Sequence, residues 1–333
     1  MSLTPSFQRP EREPHWWNSP GPKPESPAGR RRWNYFKDRL REQFGETVYK
    51  VGIDAGFDCP NRDGTKGWGG CAYCSQKGSF SPHQDARLSI RDQFTRGQSF
   101  ARRRYKASKN IVYFQAFTNT YAPVDVLRER YESALVDDSI VGMSVATRPD
   151  CINEENAALL AEYARRLPWF ACELGLQSAY QNRLEWVNRL EEVEDYVRAM
   201  EILNRHGVPV ITHVIVGFPG ETAKEISDTV ALAQEMKTWG VKLQMLHVIK
   251  GTKMAWLYNK EPFPLLSLEE YGEILIPIVE RLDPKIQIHR ITGETSDNEL
   301  VAPDWVRHKT RFFEWFEGQL ELRNTWQGRL FDA

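Results

Sequence analysis

Six short apolar runs, each followed by an amphipathic stretch, constrain this chain more than any other feature. The runs are Thr47–Ile53, Ile111–Gln115, Ile140–Ala146, Phe170–Gly175, Val208–Val216 and Lys242–Val248. Each is brief, rich in β-branched side chains and almost continuously apolar, as in a strand covered on both faces. Helical spacing follows at 89–106, 123–137, 153–166, 179–188 with 194–206, and 221–238; Ala157, Leu160, Ala161 and Ala164 carry it in the third of these. Such alternation requires parallel pairing with crossover helices. Right-handed crossovers repeated along one sheet curl it. The expected fold is α/β, a partial (β/α)6 TIM-like barrel.

The chain departs from this rhythm at both ends. Residues 1–30 are proline-rich and poor in aliphatic side chains, so a flexible N-terminal tail is expected there, with His15, Trp16 and Trp17 as its bulkier features. A helix over 33–43 leads into the first strand. The barrel is expected over 31–250 and a C-terminal α/β extension over 251–333. The extension holds a helix near 267–282, a strand near Lys285–His289 and an aromatic helix from 303 onward, bearing Trp305, Phe312 and Phe316. It is expected to close the barrel's open side. No run approaches the roughly 20 apolar residues of a membrane span, and no signal-peptide pattern opens the chain. The net charge of −1 does not mark the whole molecule for a polyanion. Five cysteines placed as these are do not form a disulfide framework. A cytoplasmic protein without a membrane partner is expected.

Three of those cysteines, Cys59, Cys71 and Cys74, fall within sixteen residues, in GFDCPNRDGTKGWGGCAYCSQKGSF after the first strand. The segment is glycine-rich and nearly free of aliphatic side chains, so it is not core. Its glycines let the backbone wrap tightly, and its thiols are soft ligands for zinc or iron–sulfur. Two arrangements are open. His83 completes a Cys3His zinc knuckle, or three thiolates hold a [4Fe–4S] cluster and leave one iron to an outside ligand. Cys151 and Cys172 lie apart and read as small buried hydrophobes.

In a parallel barrel, functional residues gather at the C-terminal ends of strands. Those ends are polar here: Gln115 to Thr120, Thr147 to Asp150, Glu173 with Gly175 to Ser178, His213 with Gly217 to Glu221, and Gln244 with His247. Each has a plain alternative. Ser178 and Thr222 suit helix caps, and Gly217-Phe218-Pro219-Gly220 suits a turn. Their convergence on the rim that carries the thiols points to one site.

The runs VYKVGIDAGFDCPNRDGTKGWGGCAYC, YFQAFTNTYAP, VATRPDC, ELGLQS, THVIVGFPGET and LHVIKGT resemble the radical S-adenosylmethionine (SAM) superfamily, in its YhcC/YtqA-type branch. That branch is similar to the radical SAM domain of elongator protein 3. The resemblance covers about residues 33–293. It implies that Cys59, Cys71 and Cys74 each hold one iron of a [4Fe–4S] cluster, and that SAM chelates the fourth. One electron then cleaves SAM to a 5′-deoxyadenosyl radical, and a flavodoxin- or ferredoxin-type donor supplies it. By the same resemblance Tyr73 packs near the adenine and Gln115 to Asn119 meet the methionyl amino group. Glu173 and Gln177 approach the ribose, and His213 faces SAM. Arg189, twelve residues after Gln177, pairs with the SAM carboxylate, and Gly217 shelves the adenine. One departure stands out. Asn188-Arg189-Leu190-Glu191 replaces the branch's usual Asn-Arg-Gly-His, which removes a polar group expected to face substrate.

A basic stretch speaks to the substrate. Residues 87–109 hold eight cations against Asp92, with Phe100 and Tyr105 interleaved. Arg102, Arg103, Arg104 and Lys106 are its densest part and read as nucleic-acid contacts; a solvated helix face is the alternative. The stretch is expected to flank the barrel mouth. Similarity to a wobble-uridine modifier implies a tRNA partner. Three functions are therefore in view: a radical SAM enzyme on tRNA, one on a small metabolite or peptide, and a non-catalytic zinc-knuckle RNA-binding protein.

Overall fold

A computed structural model describes residues 31–75, 85, 87–293 and 295–332. The expected tail over 1–30 and His83 lie outside the described residues. In chain order the elements are α1 (Phe36–Phe44), β1 (Val48–Ile53), α2 (Ile90–Tyr105), β2 (Lys109–Phe114), α3 (Val124–Ser133), β3 (Ile140–Thr147), α4 (Glu154–Arg166) and β4 (Trp169–Gln177). There follow α5 (Gln181–Trp186), α6 (Val193–Arg205), β5 (Val210–Val216), α7 (Ala223–Glu235), β6 (Gly240–Met245) and β7 (Val248–Ile249). The remainder is α8 (Lys253–Lys260), α9 (Leu268–Arg281), β8 (Gln287–Arg290), β9 (Leu300–Ala302) and α10 (Lys309–Leu322).

The main sheet has the order β1-β2-β3-β4-β5-β6-β8, and every pairing is parallel. It is a curled half-barrel with the helices outside. Its seventh strand comes from beyond residue 250, so the C-terminal region extends the sheet directly. The free edge of β8 is met by the segment before α1, where Ile288 N donates to Asn34 O at 2.8 Å. The run Lys242–Val248 is not one strand. β6 stops at Met245, and β7 pairs antiparallel with β9. α8 follows, capped by the Thr252 hydroxyl on Ala255 N; no sequence signal had singled it out.

Two apolar cores lie between sheet and helices. Val51, Ile53, Val112, Phe114, Met143, Val145, Cys172 and Leu174 pack with side chains of α2, α3, α4 and α6. Val214, Val216, Val241, Leu243 and Ile288 pack with α7, α9 and α10. Side chains alternate along a strand, so the intervening residues face the lumen. Cys172 is fully buried, as expected of a small hydrophobe, whereas Cys151 is only half-buried.

The cysteine loop, the lumen and the rim

The cysteine loop is docked on three sides by its backbone. Ala72 N donates to Val187 O at 2.7 Å, Met254 N donates to Ala72 O at 2.8 Å, and Thr118 N donates to Asp58 O at 3.2 Å. Asn61 pins the middle: its Nδ2 donates to Asn188 O at 2.6 Å and approaches Cys71 Sγ at 3.6 Å. Cys59 and Cys71 are buried and Cys74 is half-buried. Burial pushes the Cys74 thiol up to about 12, and Cys71 and Cys59 add to the rise against the pull of Arg62 and Arg189. The three sulfurs therefore lie within electrostatic reach of one another. Yet among the described residues no three His, Cys, Asp or Glu side chains converge as a single metal ion needs. Three soft thiol donors on one glycine-rich loop are a donor set that suits an iron–sulfur cluster.

The lumen carries a feature that the rim reading missed. Five side chains from five strands close on the Glu173 carboxylate of β4. Lys50 Nζ (2.8 Å) and Ser144 Oγ (2.6 Å) donate to Oε1. Tyr113 OH (2.7 Å), His213 Nε2 (2.8 Å) and Lys242 Nζ donate to Oε2. Burial opposes the charge on Glu173, but Lys242, Lys50 and His213 together hold its carboxyl well below the usual range. Burial, with Lys50 and Arg290 nearby, takes Lys242 down to about 7 although Glu173 opposes the shift. Burial and Lys242 take His213 down to about 4, so the imidazole is neutral at pH 7. Glu173, expected near the ribose, here accepts through both oxygens from lumen side chains. His213 likewise points at Glu173. Both residues sit four positions before Gln177 and Gly217, about 13 Å deeper at the rise of a strand. A lysine in the middle of VYKVGI and another in GVKLQM were the overlooked signals: a cation inside an apolar strand demands a buried partner.

The remaining predicted residues line the rim. Gln177 has φ +66° at a bulge against β5. Gly175 leaves room for it: a Cβ there would lie 2.5 Å from Gln177 Nε2 and 2.8 Å from Arg189 Nη2. Gly217 has φ +94°, and its N–H donates to Glu221 Oε2 at 2.8 Å. That carboxylate also accepts from Phe218 N, so Glu221 shapes the turn after β5. Asn119 donates through Nδ2 to Ala146 O at 2.8 Å, and its Oδ1 is buried without a partner. Gln115 N donates to Ile53 O, at the end of β1. Tyr73 OH accepts from Arg189 Nη1 at 2.9 Å. Arg189 also donates to Glu191 Oε1 at 2.5 Å and to Gly175 O at 2.9 Å. The arginine expected to meet the SAM carboxylate therefore faces an internal carboxylate, supplied by the very residue at which the sequence departs from its branch. A cavity of about 620 Å³ opens beside the loop, lined by Pro60, Lys66, Tyr121, Asp150 and Cys151 among others.

The basic helix runs away from the mouth. A crossover helix begins at the C-terminal end of one strand and returns to the foot of the next. α2 therefore starts at the rim and ends below β2. Tyr105 stacks on Tyr49 near the start of β1, with ring centroids 5.1 Å apart. Arg102, Arg103, Arg104 and Lys106 are exposed at that foot, about 20 Å from the first turn at 1.5 Å per residue. The expectation that the whole stretch flanks the mouth is corrected: Arg87 and Arg91 lie at the rim end, and Arg96 lies between.

Comparison with known proteins agrees with this architecture. The family described as "Radical SAM superfamily" matches residues 62–233, and "Radical_SAM C-terminal domain" matches 238–321. The chain is 37% identical to the uncharacterized protein YtqA of Bacillus subtilis over 301 residues, covering 90% of this chain and 93% of that one. A tRNA uridine(34) acetyltransferase of Methanocaldococcus jannaschii is 30% identical over 139 residues, which is 40% of this chain and 25% of that protein. Among solved structures, Elp3 of Methanocaldococcus infernus superposes with a TM-score of 0.62 at 16% identity, over 84% of this chain and 64% of that one. It shares the fold. Among the described residues no helix is long and apolar enough to cross a membrane. With the thiol loop at the rim of a curled parallel sheet, family matches over residues 62–233 and 238–321, and a relative 37% identical over 90% of this chain, the chain belongs to the radical SAM superfamily of enzymes, which use a [4Fe–4S] cluster and SAM.

Proposed function

We propose that the chain is a tRNA-modifying radical SAM enzyme with a wobble uridine as its target. The observation that carries this reading is the similarity to a protein named as a tRNA uridine(34) acetyltransferase. The exposed cations along α2 support it, because they form a band from Arg91 at the rim to Lys106 at the foot. Such a band suits a phosphate backbone laid across the outside of the barrel.

When bound, the cluster and SAM supply the one-electron cleavage of the C–S bond. The residues here do the rest. Cys59, Cys71 and Cys74 would hold three irons. Tyr73, Gln115, Asn119, Gln177 and Gly217 would line SAM at the rim. The open acceptor on Asn119 fits an ammonium donor such as the methionyl amino group. Glu173 serves the lumen, where it neutralises two lysines beneath the site. A flipped base would enter the mouth, and a low-potential donor of the flavodoxin or ferredoxin type would supply the electron.

Reversing Arg102, Arg103 and Arg104 to Glu is expected to weaken tRNA binding without changing iron content, because these residues lie far from the thiols. Each phosphate that is no longer neutralised should flatten the plot of log affinity against log salt by about 0.7–0.9. The check is filter binding of bulk tRNA at two salt concentrations. A triple variant that binds as tightly as the parent, with the same salt slope, would favour a small metabolite or peptide substrate instead.

A further inference from the structure

The segment that departs from its branch builds a buried chain of charges ending at a cluster cysteine. Asn188 and Leu190 both adopt positive φ, 53° and 52°. These two left-handed steps turn Leu190 outward, where it is 41% exposed, and turn Arg189 and Glu191 inward. Arg189 Nη1 lies 3.8 Å from Cys71 Sγ. Its Nε donates to Glu191 Oε1, and Glu191 Oε2 lies 3.2 Å from Arg148 Nη2. Arg148 makes a bidentate pair with Asp150 at 2.9 and 2.8 Å, and Asp150 meets Lys66 Nζ at 2.7 Å. Arg148, Asp150, Glu191 and Arg189 are all buried in their side chains; Lys66 is the solvent end.

Charges alternate along this chain, and the last one before the sulfur is positive. A buried cation beside a cluster favours its reduced, more negative form and so raises the potential. A carboxylate bonded directly to that cation offsets the effect and also fixes the guanidinium in place. We infer that Glu191 is a positioning residue that holds Arg189 against Cys71 and, through its buried charge, keeps the potential of the cluster low. The electron concerned comes from the external low-potential donor and leaves for the SAM sulfonium, so a lower potential means a stronger push onward. The inference rests on Cys59, Cys71 and Cys74 holding the cluster.

The test is an anaerobic potentiometric titration, followed by electron paramagnetic resonance, of parent, E191Q and D150N proteins reconstituted with iron and sulfide. Glutamine keeps the size and can still accept from Arg189 Nε, but it removes the charge. The expected result for E191Q is parental iron content and a potential shifted in the positive direction. Removing one unit charge at short range, at an effective dielectric near 20, makes reduction about tenfold easier, or ~59 mV for one electron. D150N should shift the same way by less, since Asp150 is one link further from the sulfur. If E191Q fails to hold iron, D150N carries the test alone. An unchanged or more negative potential in the variant that loads would overturn the inference. A parent that takes up no iron would instead overturn the cluster assignment beneath it.

Discussion

Alanine at Cys59, Cys71 or Cys74 is expected to give a folded, colourless protein, whereas the parent purified without oxygen is brown. Each thiolate would hold one iron and SAM the fourth, so losing any one thiol leaves one iron without a protein or SAM ligand. The loop should survive, because its position depends on backbone bonds from Ala72, Met254 and Thr118 and on Asn61 rather than on the sulfurs. Iron content should fall from about four per chain to near zero. Cys172→Ala should keep the iron, since that thiol is packed in the outer apolar core. Cys151→Ala should keep it too. Iron and sulfide analysis of the five variants checks this, with circular dichroism to confirm the fold. Stoichiometric zinc and no iron in the reconstituted parent would restore the zinc-knuckle reading.

The second large effect concerns stability. Glu173→Ala should cost about 3–5 kcal/mol, because it strands the buried Lys242 and the half-buried Lys50 without their counter-ion. Urea unfolding would read it as a lower midpoint with an unchanged slope. Glu173→Leu combined with Lys242→Met should recover part of the loss, since an apolar replacement of a buried ion pair is often tolerated.

The pH dependence has a definite sign. The Glu173 carboxyl is held well below its ordinary value, so its contribution is present above about pH 4.3, the unfolded value, and is lost as pH falls toward the folded one. Lys242 runs the other way. Its folded value is about 7 and its unfolded value about 10.4. Between these the unfolded chain binds the extra proton, and stability rises with pH. Lys242→Met should remove that rise, which unfolding midpoints at pH 7 and pH 9 would measure. A rise of equal size in the variant would show that Lys242 is already charged at pH 7.

The outer architecture was legible because burial on both faces leaves a continuous apolar run, and six such runs were in view. The seventh strand was recognised near Lys285–His289, but its partner was not. Nothing local in Gln287–Arg290 says that it pairs with β6 and not with β9. α8 was hidden because Lys253–Lys260 is short and its buried side chains, Met254 and Ala255, form no stripe. The thiol loop stood out by composition alone. The lumen did not, since Lys50, Tyr113, Ser144 and Lys242 come from four separate strands and become neighbours only when the sheet curls. Arg189 illustrates the same limit. Its spacing from Gln177 is a property of the sequence, whereas its capture by Glu191 depends on two residues with positive φ. The direction of α2 was deducible from topology, because every right-handed crossover ends at the foot of the barrel.

The measurement closest to the central claim is 5′-deoxyadenosine release by the reconstituted, reduced protein given SAM and bulk tRNA, with nucleoside mass spectrometry of that tRNA afterwards. Release is expected to be faster with tRNA from a strain lacking the gene than with tRNA from the wild type, with a mass change on uridine in the former. Release that is the same with either tRNA or with none, with every nucleoside mass unchanged, would contradict that claim.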